Sequence, residues 1–330
     1  MTVPSSPPGL SDDALCRLRD AAELPEPDPS RYLVLERIGR GGMGAVYRAR
    51  DVLLKRDVAL KVLHVGADSG DVAARLTQEA RTLARLEHPG IVPVHDVGVL
   101  ADGRPFYTMK LVQGHPLDDV VRGRPQADLL RLFSRICEPM AFAHSRGVVH
   151  RDVKPQNVMV GEFGEVLVLD WGVSKWASAR DAHDAALPAA AAGIDTGAGA
   201  VVGTRGYMAP EQARGDSASV DSRADVYSLG MLLTHMLSLS STRGMPRPLS
   251  AILRKATSVE PAARYADAEA LAKDVFRLLA AERVQAHREN FLEQTLRLYR
   301  RHRTLVLLVA AYLLVRLILL LWQASTVPGG

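Results

Sequence analysis

The chain has 330 residues, of which 47% are apolar and 24% are charged, the composition of a globular protein. This length exceeds one ordinary domain and fits a two-lobed fold with additional segments. Two cysteines, Cys16 and Cys137, are too few for a disulfide framework or a zinc site. The net charge of +4 equals that of the stretch 283–303 alone, which has six arginines and two glutamates. Since a nucleic-acid-binding surface would carry its own basic excess, we expect no nucleic-acid partner.

Residues 1–31 are predicted to form a flexible, proline-rich arm. They contain six prolines and the stretch SDDALCRLRDAAEL. Ser11 as N-cap and acidic residues in the first turn predict a short helix there. Pro25, Pro27 and Pro29 then predict a stiff linker.

Two lobes of different secondary structure are predicted to follow. In residues 32–112, the runs YLVLERI and DVALKVL predict strands, and VAARLTQEARTLARLEH predicts one helix that ends before Pro89. Residues 113–280 are mainly helical in pattern, with short strands at VMVG and VLVLD. We therefore expect an α+β fold with a small strand-rich lobe and a larger helical lobe. Ten alanines and three glycines in residues 179–200 predict a mobile loop.

A glycine-rich motif opens the strand-rich lobe. Gly39, Gly41 and Gly44 have the spacing that lets backbone amides approach phosphate oxygens. A strand pattern follows at residues 45–49, which favours a hairpin over phosphates rather than a dinucleotide-binding turn. An ordinary glycine-rich hairpin is the alternative.

A lysine and a glutamate come next. Lys61 lies among apolar strand residues, and Glu79 lies on the predicted helix that follows. Glu79 could neutralise Lys61 while its ammonium group contacts phosphate. Taken singly, each residue also fits a solvated surface charge.

The stretch HRDVKPQN at residues 150–157 brings a carboxylate, an ammonium group and an amide together. Asp152 could accept the proton of an attacking hydroxyl, and Lys154 could neutralise a phosphoryl group during transfer. Asp170 ends the apolar run VLVLD, thirteen residues after Asn157. Oxygen ligands from Asn157 and Asp170 suit magnesium.

Together with the closing MAPE at residues 208–211, these motifs resemble the eukaryotic-type protein kinases. The stretches GGMGAVYRA and GTRGYMAPEQARG are similar to those of the bacterial serine/threonine branch (Hanks-type). The resemblance covers about Tyr32 to Leu279 and implies the two-lobed protein kinase fold. It also implies ATP, Mg²⁺ (with Mn²⁺ as an alternative) and protein substrates. Lys154, two places after Asp152, is the choice of serine/threonine-directed members.

The resemblance also implies a role for each matching residue. Gly39, Gly41 and Gly44 would lie over the ATP phosphates, and Ile38 and Val46 would flank the adenine. Lys61 would contact the phosphates and pair with Glu79. Met109 would be the gatekeeper, followed by a hinge at Lys110, Leu111 and Val112. In the helical lobe, Asp152 would be the catalytic base, Lys154 its accompanying lysine, and Asn157 and Asp170 the metal ligands. Glu211 paired with Arg264, and Asp225, would be structural residues. His150 is structural in this pattern, and Arg151 contacts a phosphate on the activation segment.

The chain departs from this family pattern at three places. Trp171 replaces the usual phenylalanine, and we expect it still to position Asp170. Lys110 replaces a residue that is often acidic, and its side chain is expected to face solvent. Residues 236–249 are short for the fold, so the helix that normally follows there is predicted to be abbreviated or lost.

The activation segment extends from Asp170 to Glu211. Thr196 is the predicted site of regulatory phosphorylation, with Ser174 and Ser178 as rivals. Thr204 resembles the threonine that contacts the catalytic loop.

The last predicted element is a membrane anchor at residues 305–322. These eighteen positions include one charge, Arg316. A helix of this length spans about 27 Å, close to the roughly 30 Å of bilayer hydrocarbon. The arginines of the basic juxtamembrane segment 281–304 place that side in the cytoplasm, and residues 323–330 form a short tail. A buried C-terminal helix is the alternative.

The sequence therefore predicts a membrane-anchored, single-pass serine/threonine kinase with a cytoplasmic kinase domain over residues 32–280. It would transfer the ATP γ-phosphate to protein hydroxyls, including its own activation loop, with self-association between copies. The alternative is a pseudokinase, a membrane-held nucleotide-binding or scaffolding module. Lys154 and the GTRGYMAPE segment argue against a small-molecule phosphotransferase.

Overall fold

The computed structural model describes residues 24–41, 44–63, 80–171, 205–215, 220–242, 244–287, 308–309 and 311–318. Nearly all of the helix predicted after Ser11 and the whole loop predicted at 179–200 lie outside these residues. So do the first eight residues, 72–79, of the helix predicted before Pro89, while residues 80–84 in its described part are helical.

The first lobe is built on a five-stranded antiparallel sheet. Its strands are β1 (Tyr32–Gly41), β2 (Gly44–Asp51), β3 (Arg56–Leu63), β4 (Val94–Val99) and β5 (Pro105–Lys110), in the order β1-β2-β3-β5-β4. Side chains alternate between the two faces of a strand. Tyr47 and Leu60 are paired in register and belong to a buried cluster on one face. The next register pair, Val46 and Lys61, therefore faces the other way, toward the second lobe.

Residues 24–31 pack against this sheet. Leu24 contacts the cluster that contains Tyr47 and Leu60, and Pro25 and Pro27 are buried. The Arg31 guanidinium lies 3.2 Å from a carboxylate oxygen of Asp96 on β4. The described end of the proline-rich arm is thus part of the lobe instead of a free linker, because its apolar residues cover the sheet.

The second lobe is mainly helical, as predicted. Its helices are α1 (Leu117–Val121), α2 (Gln126–Ser145), α3 (Pro210–Ala213), α4 (Ser222–Ser238), α5 (Arg247–Ala256) and α6 (Ala268–Leu279). A small antiparallel sheet adjoins them, formed by β6 (Gly114–Pro116), β7 (Val158–Gly161) and β8 (Val166–Val168). In α2, Leu129, Phe133, Ile136 and Met140 are fully buried at helical spacing. They form one core with residues of α4, α5 and α6.

The helix expected to be abbreviated or lost between α4 and α5 is absent from the described part of residues 239–246. Hydrogen bonds join this connection to the turn between α1 and α2. Gly123 N–H donates to the Leu239 carbonyl at 2.8 Å, and Ser241 N–H donates to the Arg124 carbonyl at 3.1 Å. The shortened connection thus packs on the neighbouring turn.

The packed chain continues beyond α6 through His287. Val284 is buried in the core of the second lobe, and Asp274 on α6 accepts hydrogen bonds from the backbone N–H groups of Gln285 and Ala286. Residues 308–309 and 311–318 are helical and exposed. Among the described residues, no helix combines the length and the apolar character needed to cross a bilayer.

Candidate active site

The loop before β7, residues 150–157, is supported from below by the buried carboxylate of Asp225 on α4. Its oxygens accept hydrogen bonds from the backbone N–H groups of His150 and Arg151, both at 2.7 Å, and from His144 Nε2 at 2.9 Å. Burial alone would raise the pKa of Asp225, but the hydrogen bond from His144 and the other contacts hold it below its ordinary value. Asp225 is therefore ionised at neutral pH and fixes the loop, including the left-handed φ of 67° at Arg151.

His150 is a structural residue of this loop. Its Nε2 donates to the Leu169 carbonyl at 2.9 Å, and its Nδ1 accepts from the Asp152 backbone N–H at 3.2 Å. The ring stacks at 4.7 Å, in a tilted arrangement, on Trp171. Burial lowers the pKa of His150, so the imidazole stays neutral and links Asp152 to the chain that follows β8.

The structure brings Asp152, Lys154 and Asn157 together. Lys154 Nζ donates to Asp152 Oδ2 at 2.7 Å. The Asn157 amide nitrogen donates to the Asp152 carbonyl at 2.8 Å and to Asp152 Oδ2 at 3.2 Å. Both donors fix the orientation of the Asp152 carboxylate, and its charge favours acceptance of a proton from a hydroxyl placed beside it.

Asp170 lies across the cleft from β3. It has a left-handed φ of 49°, and the preceding Leu169 N–H donates to the Asn157 carbonyl at 2.8 Å. Lys61 Nζ lies 3.2 Å from Asp170 Oδ1, so strand β3 of the first lobe contacts the second lobe through this ion pair. The predicted partner of Lys61, Glu79, lies outside the described residues.

Trp171, which follows Asp170, is buried in the core of the second lobe. Its side chain is 1% exposed, and its indole N–H donates to the Val168 carbonyl at 3.2 Å. The larger ring is accommodated because this hydrogen bond satisfies its polar atom inside the core. Gly172 lies outside the described residues.

The chemistry of Asn157 and Asp170 fits a magnesium ion. Because Asn157 uses its amide hydrogens to hold Asp152, the atom it can present to a cation is its oxygen. Mg²⁺ binds through one or two protein oxygens together with waters and substrate phosphates. In the described part of the chain, no group of three or more His, Cys, Asp or Glu side chains could hold a metal.

The residues predicted for the nucleotide-binding hairpin lie on β1 and β2. In the hairpin, Gly39 pairs with Val46 and Gly41 with Gly44, while residues 42–43 lie outside the described part. Ile38 is exposed and Val46 is half-buried.

The predicted gatekeeper and hinge follow at the end of β5. Met109, Leu111 and Val112 are half-buried. Lys110 is exposed, as predicted, and its backbone N–H donates to the Pro93 carbonyl at 3.1 Å.

Glu211 and Arg264 form a buried, two-pronged ion pair. The guanidinium donates to both carboxylate oxygens, at 2.6 and 2.9 Å. Burial alone would raise the pKa of Glu211, but the hydrogen bonds from Arg264 hold it below its ordinary value. The pair joins α3 to the segment before α6.

Sequence reasoning missed Gln212, which lies next to Glu211. Its amide nitrogen donates to the Arg151 carbonyl at 3.2 Å, and its amide oxygen accepts from the Ala209 N–H at 3.2 Å. Gln212 therefore ties the turn before α3 to the loop that carries Asp152. The one available signal was its place after MAPE, since a single glutamine has no distinctive spacing.

The predicted hydroxyls Thr196 and Thr204, and the rivals Ser174 and Ser178, lie outside the described residues.

A strand-rich lobe that faces a helical lobe across these charged residues is the architecture of a protein kinase. The chain belongs to this family, since residues 32–303 match the family described as protein kinase domain. Curated relatives include the serine/threonine-protein kinase PknD of Protochlamydia amoebophila, 32% identical over 74% of this chain, and that of Chlamydia felis, 34% identical over 74%. The chain spans 29% and 30% of the length of these two relatives.

Solved structures agree with this assignment. The kinase domain of Mycobacterium tuberculosis PknI aligns with a TM-score of 0.55 and 27% identity, over 74% of this chain and 95% of that one. A second structure of the PknI kinase domain aligns with the same TM-score and 28% identity, over 76% and 95%. The fold of the chain is therefore similar to that of solved bacterial kinase domains.

Proposed function

We propose that this protein is an ATP- and Mg²⁺-dependent kinase that transfers the γ-phosphate to serine or threonine hydroxyls of proteins. The observation that carries this proposal is the arrangement around Asp152, whose carboxylate is held by Lys154 and Asn157. Asp170 lies next to Lys61 across the cleft. These are the groups that phosphoryl transfer requires for positioning and for charge stabilisation.

Each residue has a defined task in this reaction. Asp152 orients the acceptor hydroxyl and takes its proton while the new oxygen–phosphorus bond forms and the bond to the leaving ADP breaks. Lys154 neutralises charge on the transferred group, and Lys61 binds the phosphates of ATP. Asn157 and Asp170 would hold Mg²⁺, which neutralises phosphate charge when bound.

The serine/threonine preference is supported by Lys154 and by the curated relatives. Autophosphorylation of the activation segment, with Thr196 as the first candidate, belongs to the same proposal. A phosphate there could be bound by Arg151 through charge-assisted hydrogen bonds.

The test compares the full chain with its Asp152→Asn variant in the presence of labelled ATP and Mg²⁺. We expect incorporation of phosphate to fall at least about 100-fold, since general-base groups contribute that much or more, while calorimetry shows unchanged ATP binding. If the wild type binds ATP with Mg²⁺ but transfers no phosphate, the pseudokinase alternative is correct. Loss of ATP binding in the variant would mean that Asp152 has a different role.

We also propose that residues 305–322 anchor the protein in a membrane with the kinase domain on the cytoplasmic side. The apolar composition of this segment supports the proposal, as do the arginines of 283–303, each worth about 1 kcal/mol near an anionic lipid surface. Copies held in one membrane plane would meet often enough to phosphorylate one another.

Flotation with vesicles that contain phosphatidylserine tests this anchor. The full chain should float and should resist extraction at alkaline pH. Leu313→Arg combined with Leu314→Arg should abolish this resistance, because two charges at mid-helix are costly in hydrocarbon. The control places arginines at Ser325 and Thr326 in the tail and should behave like the wild type. Equal extraction of all three proteins would rule the anchor out.

A further inference from the structure

A histidine–aspartate pair joins two helices of the second lobe. His235 Nε2 on α4 donates to Asp118 Oδ1 on α1 at 2.8 Å. The two side chains are 30% and 37% exposed, so the pair is at the surface yet partly desolvated. None of the catalytic tasks described above uses it.

The ring of His235 also supports Tyr207, in the turn before α3. The two rings meet edge to face, with centroids 6.1 Å apart and an angle of 78°. Burial, and after it the charge of Asp118, raises the pKa of Tyr207, so the phenol stays neutral against the imidazole. Ser228 on α4 donates its hydroxyl to the Tyr207 carbonyl at 2.8 Å. Tyr207 is therefore held at both its ring and its backbone.

The turn that carries Tyr207 is connected to the catalytic loop. Ala209, two residues further on, donates to Gln212, and Gln212 donates to the Arg151 carbonyl next to Asp152. A displacement of the turn would be transmitted along these hydrogen bonds. The position of Tyr207 therefore affects the loop that carries Asp152 and not strand β3, which carries Lys61.

Helix α1 is a firm support for this pair. At its far end, Gly123 N–H donates to the Leu239 carbonyl at 2.8 Å, and the Ser240 hydroxyl donates to the Arg124 carbonyl at 3.1 Å. The connection that replaces the expected helix thus fixes α1 to the end of α4. Asp118 can hold His235 in one orientation because the end of its own helix is fixed to the end of α4.

From these contacts we propose that His235, oriented by Asp118, is a positioning residue for the protein acceptor. It holds Tyr207, and with it the 205–209 turn, which Gln212 joins to the loop that presents Asp152 to the acceptor. This inference rests on the proposed kinase function. If the inference is correct, breaking the pair raises the KM for the acceptor. The KM for ATP stays unchanged, because Lys61 and the glycine hairpin are on the other side of the site.

The kinetic test uses the full chain with casein as acceptor. His235→Ala and Asp118→Ala should each raise the acceptor KM about 10-fold, with the KM for ATP within about two-fold of wild type. The double variant should be no worse than either single one, because both changes remove one contact. His235→Gln, which keeps a donor for Asp118, should recover part of the loss. The control Asp119→Asn changes an exposed neighbour on α1 and should have no effect.

Hydrogen exchange supplies a second readout that needs no turnover. Backbone amides of residues 205–214 should exchange faster in His235→Ala than in wild type or Asp119→Asn. If the wild type phosphorylates no acceptor, the proposed function fails while exchange still tests the contact. Unchanged exchange in 205–214, an unchanged acceptor KM in both alanine variants, or an equal rise in both KM values would overturn the inference.

Discussion

At the scale of single residues, buried charges in the second lobe are costly to desolvate, and their hydrogen bonds fix how its segments pack. The side chains of Arg264 and Glu211 are 0% and 4% exposed. The remaining donors of Arg264 bind the carbonyls of Arg223, Ser258 and Val259. Because every donor is satisfied, the pair offsets its desolvation only while both partners are present.

Removing one partner should therefore be far more damaging than removing an exposed charge. We expect Glu211→Gln to lower the free energy of unfolding by about 3 kcal/mol, since it leaves Arg264 buried and uncompensated. Urea denaturation measures this loss. Glu269→Gln breaks an exposed ion pair with Lys273 on α6 and should change stability little. Similar losses for the two variants would contradict the role given to the buried pair.

The same pair predicts how stability depends on pH. Since the pKa of folded Glu211 is lowered, its contribution is complete above the unfolded pKa of about 4.3. This contribution is lost as the pH falls through the lower folded pKa. Between about pH 5 and pH 2 we expect the unfolding temperature of wild type to fall more steeply than that of Glu211→Gln. Parallel curves in scanning calorimetry would show that Glu211 does not contribute to acid sensitivity.

Residues that belong to motifs could be predicted from the sequence, whereas residues that act through distant contacts could not. The stretch at 150–157 indicated Asp152 and Asn157 because their types and spacing are informative together. Gln212 contacts a residue 61 positions away, and His235 one 117 positions away. In the sequence, each looks like an ordinary polar residue of a helix, since only the folded chain brings its partner close.

At the scale of elements, the close approach of α4 and α5 depends on Gly230. A Cβ atom at this position would lie 2.7 Å from Thr257 Cγ2 and 2.8 Å from Ala256 Cβ. In an exposed helix, alanine would be more stable than glycine by about 1 kcal/mol. Here the contact reverses that preference, because the two helices could not keep their spacing.

We therefore expect Gly230→Ala to lower the free energy of unfolding by about 1–3 kcal/mol despite its better helix propensity. Thermal unfolding of the full chain measures the change. Gly206→Ala adds the same methyl group where, among the described residues, nothing lies within 4 Å, and it is the control. A stabilised Gly230→Ala protein would show that the helices move apart at no cost.

Element types were easier to predict than element packing. Short apolar stretches in YLVLERI and DVALKVL, bounded by glycines and charges, predicted β1 and β3. The shortness of 236–249 predicted the lost helix. The prolines before Tyr32 indicated a stiff segment, but composition does not specify what a segment packs against. The contact of Leu24 with the sheet therefore had to come from the structure.

At the scale of the whole molecule, Asp274 joins the segment after α6 to the second lobe. Its buried carboxylate accepts from Tyr265, Arg277 and the backbone N–H groups of Gln285 and Ala286. Burial alone would raise the pKa of Asp274, but these hydrogen bonds hold it below its ordinary value. The segment after α6 is thereby fixed to the lobe, so the basic stretch begins from a defined point.

Replacing this acceptor should loosen the end of the domain without touching the site. An asparagine at 274 offers one acceptor oxygen in place of two, which leaves buried N–H donors unsatisfied at about 1–3 kcal/mol each. We expect Asp274→Asn to lower the unfolding temperature and to speed proteolysis after residue 280, with ATP binding unchanged in the folded protein. Gln285→Ala keeps the backbone N–H that Asp274 binds, so it should match wild type. If both variants were cleaved at the wild-type rate, the packing of Val284 alone would hold the segment in place.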